Sequence, residues 1–374
     1  MDKLSSQDAG FLKIESAHCP FHVAGLMVFK LPAKAPRDFT RRLARKCGRL
    51  NEAWPIFNKR LQDPVNLSAA SWVEADDYKA EHHVLHYALP SPGRMDDLLR
   101  LVTRAHERPL DRSRPLWEIH VIDGLGDARF ALYCKVHHAL IDGVGAMKMM
   151  QSFFSRSAKD RIDLDSRHPV SHGHDSHHTL FQSLDQLGRN LQKQYKAIPE
   201  LSRLLAHMGL DALQGKQDAM RLPFTSPRTI FNTQLDSSRA IMVCDLSLAG
   251  VRKIARQAGG SVNDVLLAVC GGALREYLSS QAALPKPSLV AGMPVSLKSA
   301  GEQGGNKLSY IMSPFFTNEA DDWRRLQRVI KVTRAAKAEL GKVSTTAAED
   351  YYALLMAPTV LLTITGHANL VRPA

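Results

Sequence analysis

Phe130-Ala131-Leu132-Tyr133-Cys134-Lys135-Val136-His137 reads as a strand. It runs straight into His138-Ala139-Leu140-Ile141-Asp142-Gly143-Val144-Gly145, where two glycines call for a turn. From Val144 to Phe154, the residues Met147, Met150 and Phe154 fall on one side at helical spacing. A strand that ends on paired histidines, turns on glycine and resumes as a helix narrows the chain to layered folds of sheet and helix. Histidine titrates near neutrality, so one held at a strand end can take a proton from an alcohol and return it within one turnover.

The flanking segments fit the same class. Val23 to Phe29 and Ser71 to Val73 are strand-like, and Leu4 to Leu12 is a short capped turn. Phe39, Leu43, Cys47 and Leu50 recur at helical spacing among arginines, so that helix has a basic outer face, a solvated surface or a contact for phosphate or membrane. A second helix runs from Met95 to Glu107 and stops before Pro109. Arg114 to Ile122 is the strand before the histidine strand, joined to it through the hairpin signal Asp123-Gly124-Leu125-Gly126-Asp127.

At 374 residues the chain is too long for one ordinary core, and two domains are expected. Residues 1–160 form the first. Residues 161–220 form a linker rich in histidine (His168, His172, His174, His177, His178) followed by a connecting helix, and residues 221–374 form the second domain. The second domain has a strand over Ala240–Leu246, a helix over Leu248–Ala258 capped at Gly259, and an apolar helix over Val265–Leu278. Small residues in that last helix allow close, buried packing. Further strands at Ser288–Pro294 and Tyr310–Phe316, a basic helix over Trp323–Leu340 and an apolar Tyr351–Ile364 complete a chain of α/β (α+β) class without internal repeats.

The formal charge of +12 suits an anionic partner: nucleic acid, acidic phospholipid or a phosphate-bearing cofactor. With no basic run interleaved with aromatics and no zinc-finger spacing, nucleic acid is not expected. Five scattered cysteines point to reduced thiols in the cytosol rather than a disulfide framework. The opening residues lack the apolar run of a signal peptide. The longest apolar stretch, Leu354 to Ile364, is about half of what a bilayer span requires, so membrane contact would be peripheral.

Three readings of the histidine segment compete. His137 and His138 could be ordinary strand-end histidines, one of them hydrogen-bonded in the core. His138 and Asp142 could bind zinc, but Gly143 and Gly145 indicate a turn rather than a helix and no third ligand is evident, so no metal is expected. Alternatively His138 acts as a base on a hydroxyl that attacks an activated acyl carbonyl, a reaction needing an oxyanion donor but no enzyme nucleophile. The lack of a Gly-x-Ser-x-Gly elbow fits this last reading.

Four motifs then carry a resemblance. His137-His138-Ala139-Leu140-Ile141-Asp142-Gly143 fits HHxxxDG, Pro115-Leu116-Trp117 fits PLW, and Asn263-Asp264 fits ND ahead of a helix. Leu4-Ser5-Ser6-Gln7-Asp8-Ala9-Gly10-Phe11 fits a characteristic start. By these the chain resembles the bacterial wax ester synthase/acyl-CoA:diacylglycerol acyltransferase family, within the coenzyme A-dependent acyltransferase fold of the chloramphenicol acetyltransferase type. HHxxxDG is shared with peptide-synthetase condensation domains; PLW with ND makes the narrower assignment.

The resemblance implies two chloramphenicol acetyltransferase-like domains of mixed sheet plus helices, with an active-site channel between them. It implies that His138 is the general base, that His137 supports the site, that Asp142 makes an ion pair holding the turn, and that Gly143 keeps the channel floor clear. Asn263 would be a donor near the base or oxyanion, Asp264 would pack the helix start, and Pro115-Leu116-Trp117 would be structural. No cofactor would be bound permanently; acyl-CoA would be the co-substrate and a fatty alcohol or diacylglycerol the acceptor. The protein would be cytoplasmic, peripheral to the inner membrane face or to lipid inclusions. The rivals are a carrier-protein-dependent condensation-type transferase and a lipid-binding protein on the same fold. Family members continue past an arginine-proline like Arg372-Pro373, so a chain ending at Ala374 is expected to be incomplete.

Overall fold

A computed structural model describes residues 2–4, 6–65, 71–141, 153–154, 197–222, 225–233, 236–296, 308–344, 347, 351 and 354. The chain divides into two compact units. The first comprises Met1–Ser176 with Leu235–Val243, and the second His177–Gln234 with Cys244–Ala374. The histidine tract, the expected helix after Val144 apart from Phe153 and Phe154, and most of the apolar Tyr351–Ile364 lie outside the described residues.

The first unit begins with β1 (Asp2–Lys3) and α1 (Ser6–Ile14), a full helix where the sequence suggested only a short turn. Then follow β2 (His22–Lys30), α2 (Phe39–Cys47), the short α3 (Leu50–Ala53), β3 (Lys59–Leu61), β4 (Ser71–Glu74) and β5 (Val84–Ala88). Next come α4 (Met95–Glu107), β6 (Trp117–Leu125) and β7 (Arg129–His137). Four strands form a mixed sheet in the order β2-β7-β6-β5; β7 is antiparallel to both neighbours, and β5 runs parallel to β6. A separate three-stranded sheet has the order β1-β4-β3.

The buried runs in β6 and β7 have a direct cause: both faces of the sheet are covered. On one face α4 sets Leu98, Val102 and Ala105 against Ile122, Leu125, Ala131 and Tyr133. On the other, Leu50, Trp54, Phe57 and Leu61 gather around Trp117, Ile119, Val121, Phe130 and Leu132. The Pro115-Leu116-Trp117 element belongs to this core. Leu116 and Trp117 are buried, and the Trp117 indole donates to the Phe57 carbonyl at 2.9 Å, satisfying its one polar group.

In the second unit, α5 (Ala197–Leu213) precedes α6 (Leu248–Ala258) and α7 (Val262–Ser280). An antiparallel pair, β8 (Val290–Ser296) and β9 (Leu308–Pro314), is followed by α8 (Asp322–Leu340). Helix α6 ends as expected on Gly259, at φ +69°, a left-handed cap that glycine adopts without strain. Close packing of α7 is real on one side: a Cβ at Gly271 would lie 2.3 Å from the Phe315 carbonyl oxygen. It is not buried all round, however, since Leu266, Val269 and Tyr277 are exposed.

One expectation fails outright. Ala240–Leu246 forms no strand. Arg239 and Ile241 instead dock on the first unit: Ile241 packs on the α4 core and Arg239 binds the Glu107 carboxylate through its amide at 2.8 Å. Of its apolar residues only Ile241 reaches a core; Met242, Val243 and Leu246 are exposed. Among the described residues no helix is long and apolar enough to cross a membrane.

Candidate active site

Strand β7 lies between β2 and β6, so its end is held from both sides. The His137 amide donates to the Leu116 carbonyl at 2.9 Å, and the His138 amide to the Phe21 carbonyl at 2.8 Å. Consecutive amides thus bond opposite neighbours up to the last residue before the turn. The turn itself closes on the His137 backbone and ring. The Leu140 amide donates to the His137 carbonyl at 2.9 Å, and the Ala139 amide to His137 Nδ1 at 3.0 Å. With Nδ1 an acceptor, a neutral His137 carries its proton on Nε2.

That Nε2 faces Glu15, whose Oε1 is 3.3 Å away; the alignment falls short of a hydrogen bond, so the contact is electrostatic. Glu15 follows α1 in a loop, and its side chain is only 5% exposed. Its Oε1 accepts the Phe21 amide at 2.9 Å, and its Oε2 accepts Arg112 Nη2 at 2.9 Å and Nε at 3.2 Å. Arg112 also donates to the Leu12 carbonyl at 2.7 Å, tying the carboxylate to the end of α1. Burial works to raise the Glu15 pKa, but His137, the Phe21 amide and Arg112 together outweigh it and hold the group at about 2. The carboxylate is therefore a fixed negative charge beneath the turn.

His138 stands beyond this support, half-buried. Its ring lies against Phe11 of α1, with centroids 4.6 Å apart and a 39° tilt, and Phe11 in turn packs on Phe21 at 5.6 Å. Its Nδ1 is buried without a hydrogen-bond partner among the described residues. Each ring thus keeps one nitrogen without a hydrogen bond, but His137 is wholly buried with its Nδ1 committed to the turn, whereas His138 is only half-buried and open to accept a proton.

A second polar layer locks β7 beneath α4. The Lys135 ammonium, wholly buried, donates to the last carbonyls of α4, Ala105 at 2.9 Å and Arg108 at 2.8 Å, and sits 3.2 Å from Glu118. A cation suits a helix C-terminus, where unpaired carbonyls concentrate negative charge. Burial lowers the Lys135 pKa and Glu118 opposes this. Beside it, His22 Nε2 meets the His106 carbonyl at 2.8 Å, and burial, then Lys135, push the His22 pKa down to about 4. Neutral His22 thus lines the layer without competing with the ammonium.

Asp142 and Gly143 lie outside the described residues. In the second unit, Asp264 is used by the start of α7. Its Oδ2 accepts the Ser261 amide and hydroxyl, both at 2.7 Å, and its Oδ1 accepts Thr333 Oγ1 at 2.7 Å. Burial would raise its pKa, and Thr333 and Ser261 more than offset that. Asn263, one residue earlier, is exposed and takes no part in the cap.

Glu15, Arg112 and Phe11 were missed from sequence. Nothing local separates Arg112 from Arg114, which makes an exposed pair with Asp111 three residues before it. Only the fold brings Arg112 to a carboxylate 97 positions away.

The family model described as the wax ester synthase/diacylglycerol acyltransferase catalytic domain matches residues 4–266, and the WS/DGAT C-terminal domain matches residues 304–372. Over 387 aligned residues the chain is 35% identical to a probable diacylglycerol O-acyltransferase of Mycobacterium tuberculosis, covering 100% of this chain and 82% of that protein. To the O-acyltransferase WSD of Acinetobacter baylyi it is 28% identical, over 98% of this chain and 79% of the relative. Among solved structures, the wax ester synthase/diacylglycerol acyltransferase from Marinobacter aquaeolei VT8 superposes with a TM-score of 0.73. The identity is 30%, over 99% of this chain and 79% of that one.

Proposed function

The chain belongs to the wax ester synthase/diacylglycerol acyltransferase family and is an acyltransferase; on that premise we propose that it transfers a long-chain acyl group from acyl-CoA to an alcohol. The acceptor is a fatty alcohol, giving a wax ester, or a diacylglycerol, giving a triacylglycerol. The name of the Mycobacterium tuberculosis relative supports the diacylglycerol, and those of the family model and the Marinobacter structure support both acceptors.

His138 is the general base. It takes the proton of the hydroxyl as that oxygen attacks the thioester carbonyl; the tetrahedral oxyanion collapses, and the departing thiolate takes the proton back to leave as free coenzyme A. Neither a covalent enzyme intermediate nor a metal is required. The observation that carries this reading is the division of labour between the two histidines. The His137 ring is wholly buried with its Nδ1 holding the turn, whereas His138, stacked against Phe11, is only half-buried and so within reach of a substrate. In this reading Asp142 would hold the turn and Gly143 would keep the approach clear. Asn263 is the candidate oxyanion donor, its carboxamide exposed rather than used in the helix cap, and Asp264 keeps the start of α7 in place.

The protein works in the cytoplasm, at the inner membrane face or on lipid inclusions. Its free cysteines and its +12 charge support a reducing compartment and an anionic surface.

The test is thiol release from palmitoyl-CoA with hexadecanol, a diacylglycerol or water as acceptor. His138→Gln should cut turnover by about 10²–10⁴-fold while leaving the melting profile unchanged. Near-normal thiol release from that variant would end the general-base reading. Transfer from an acyl carrier protein but not from acyl-CoA would move the enzyme to the condensation type, and acyl binding without release under any acceptor would make it a lipid-binding protein.

A further inference from the structure

We infer that the outer face of α2 is a docking surface for an anionic phospholipid bilayer. Between positions 37 and 49 the chain places Arg37, Arg41, Arg42, Arg45, Lys46 and Arg49 against a single carboxylate, Asp38. All six cations are exposed. The inner face of the helix explains why they gather: Leu43, Ala44 and Cys47 pack on the core around Trp117 and Phe130, leaving the remaining positions outward. Arg41 and Arg45 then fall at i and i+4, with Arg42 and Lys46 beside them, a stripe of like charge along the helix, and Arg49 follows just past its end.

Such a stripe costs stability through self-repulsion unless something compensates it. Part of the charge on another basic helix is compensated. On α8, Arg325, Arg328 and Lys331 are neutralised by Asp322, Glu319 and Asp218. On α2, Arg42 pairs with Asp38 at 2.8 Å and Arg49 with Glu52, whereas Arg37, Arg41, Arg45 and Lys46 make no ion pair among the described residues. Asp38, Arg42, Arg45 and Lys46 also line a shallow, open depression on this face.

The platform beneath is rigid. Thr40 Oγ1 donates to Asp123 at 2.7 Å, Tyr78 donates its hydroxyl to the Gly48 carbonyl at 2.9 Å, and a Cβ on Gly48 would come within 2.9 Å of Ala80 Cβ. Backbone anchored on one side and cations unpaired on the other suit a flat, negatively charged, fluid partner. A bilayer surface is that partner, and it is where long-chain acceptors reside. The surface does not depend on which acceptor the site uses.

The test is flotation of the full chain with vesicles of phosphatidylcholine alone or with phosphatidylglycerol added to about a third, near the anionic content that attracts basic segments. The wild type should float with the anionic vesicles only, and raising the salt toward 1 M should release it. The triple variant Arg41→Gln/Arg45→Gln/Lys46→Gln should partition about a hundredfold less, at roughly fivefold per cation removed. Its release of thiol from soluble substrates should be unchanged, which separates this surface from the site. A control triple variant on α6, Arg252→Gln/Lys253→Gln/Arg256→Gln, should float like the wild type. Equal flotation of the α2 variant, equal binding to neutral vesicles, loss of flotation in the α6 variant alone, or binding to duplex DNA without vesicle binding would each overturn the assignment.

Discussion

Replacing Glu15 with glutamine tests whether a buried charge, rather than a shape, holds the histidine turn. The carboxylate is depressed from an ordinary 4.5 to about 2. At about 1.4 kcal/mol per pH unit, that difference corresponds to about 3 kcal/mol of folded-state stability at neutral pH. The sign follows from proton binding. Between the two values the unfolded chain holds a proton on this group and the folded chain does not, so stability rises with pH in that window and is complete above 4.5. Glu15→Gln lacks the charge, leaves Arg112 and His137 without their anion, and should be less stable than wild type by about 3 kcal/mol at pH 7. The gap should stay constant down to about pH 5 and close as the pH falls from 4.5 toward 2, where the wild type loses the same interaction. Tryptophan emission is a suitable probe, since Trp54, Trp72 and Trp117 are buried in the first unit whereas Trp323 in the second is half exposed. Urea titrations followed this way across the pH range give the gap directly. A gap that is absent at pH 7, or one that stays the same at pH 3, would refute the electrostatic account of the turn.

Three further outcomes follow from named contacts. Lys135→Met removes the buried ammonium from the Ala105 and Arg108 carbonyls and from Glu118, and should cost about 3 kcal/mol in the same tryptophan transition; a variant as stable as wild type would contradict this. Gly271→Ala drives a Cβ to 2.3 Å from the Phe315 carbonyl oxygen, so α7 and β9 should lose about 2 kcal/mol of hydrogen-exchange protection while β7 keeps its own; unchanged exchange would show that the helix can shift freely. Asp264→Ala removes the acceptor of the Ser261 amide and of Thr333, and should speed exchange in the first turn of α7 at a cost of about 1 kcal/mol, with normal protection counting against the cap.

Some of the misreadings have a common cause. Val84–Ala88 was not singled out, although it forms the parallel edge of the main sheet, because Val84-Leu85-His86-Tyr87-Ala88 alternates too weakly to stand apart from its surroundings. Ala240–Leu246 has a strand's composition and no strand, because among the described residues no sheet edge pairs with it; Ile241 alone finds a core, and Met242, Val243 and Leu246 stay exposed. The small residues of α7 allow close packing where they meet a partner, as Gly271 does, but they do not say which faces of the helix find one, and Leu266, Val269 and Tyr277 stay exposed.

The sequence by itself determined what depends on neighbours a few positions apart. The bounds of α4, the glycine cap of α6 and the strand that delivers His137 and His138 all follow from periodicity, proline, glycine and short-range hydrogen bonding, forces that act within a turn or two of chain. Only the tertiary structure decided how the two histidines differ. His137 becomes a support because Glu15, 122 positions earlier, is brought beneath it, and Glu15 stays ionised there because Arg112, 97 positions further on than Glu15, meets it as well. Neither residue is marked in its own segment. Their charges acquire value only where folding has excluded water, since the same pair left exposed would contribute little.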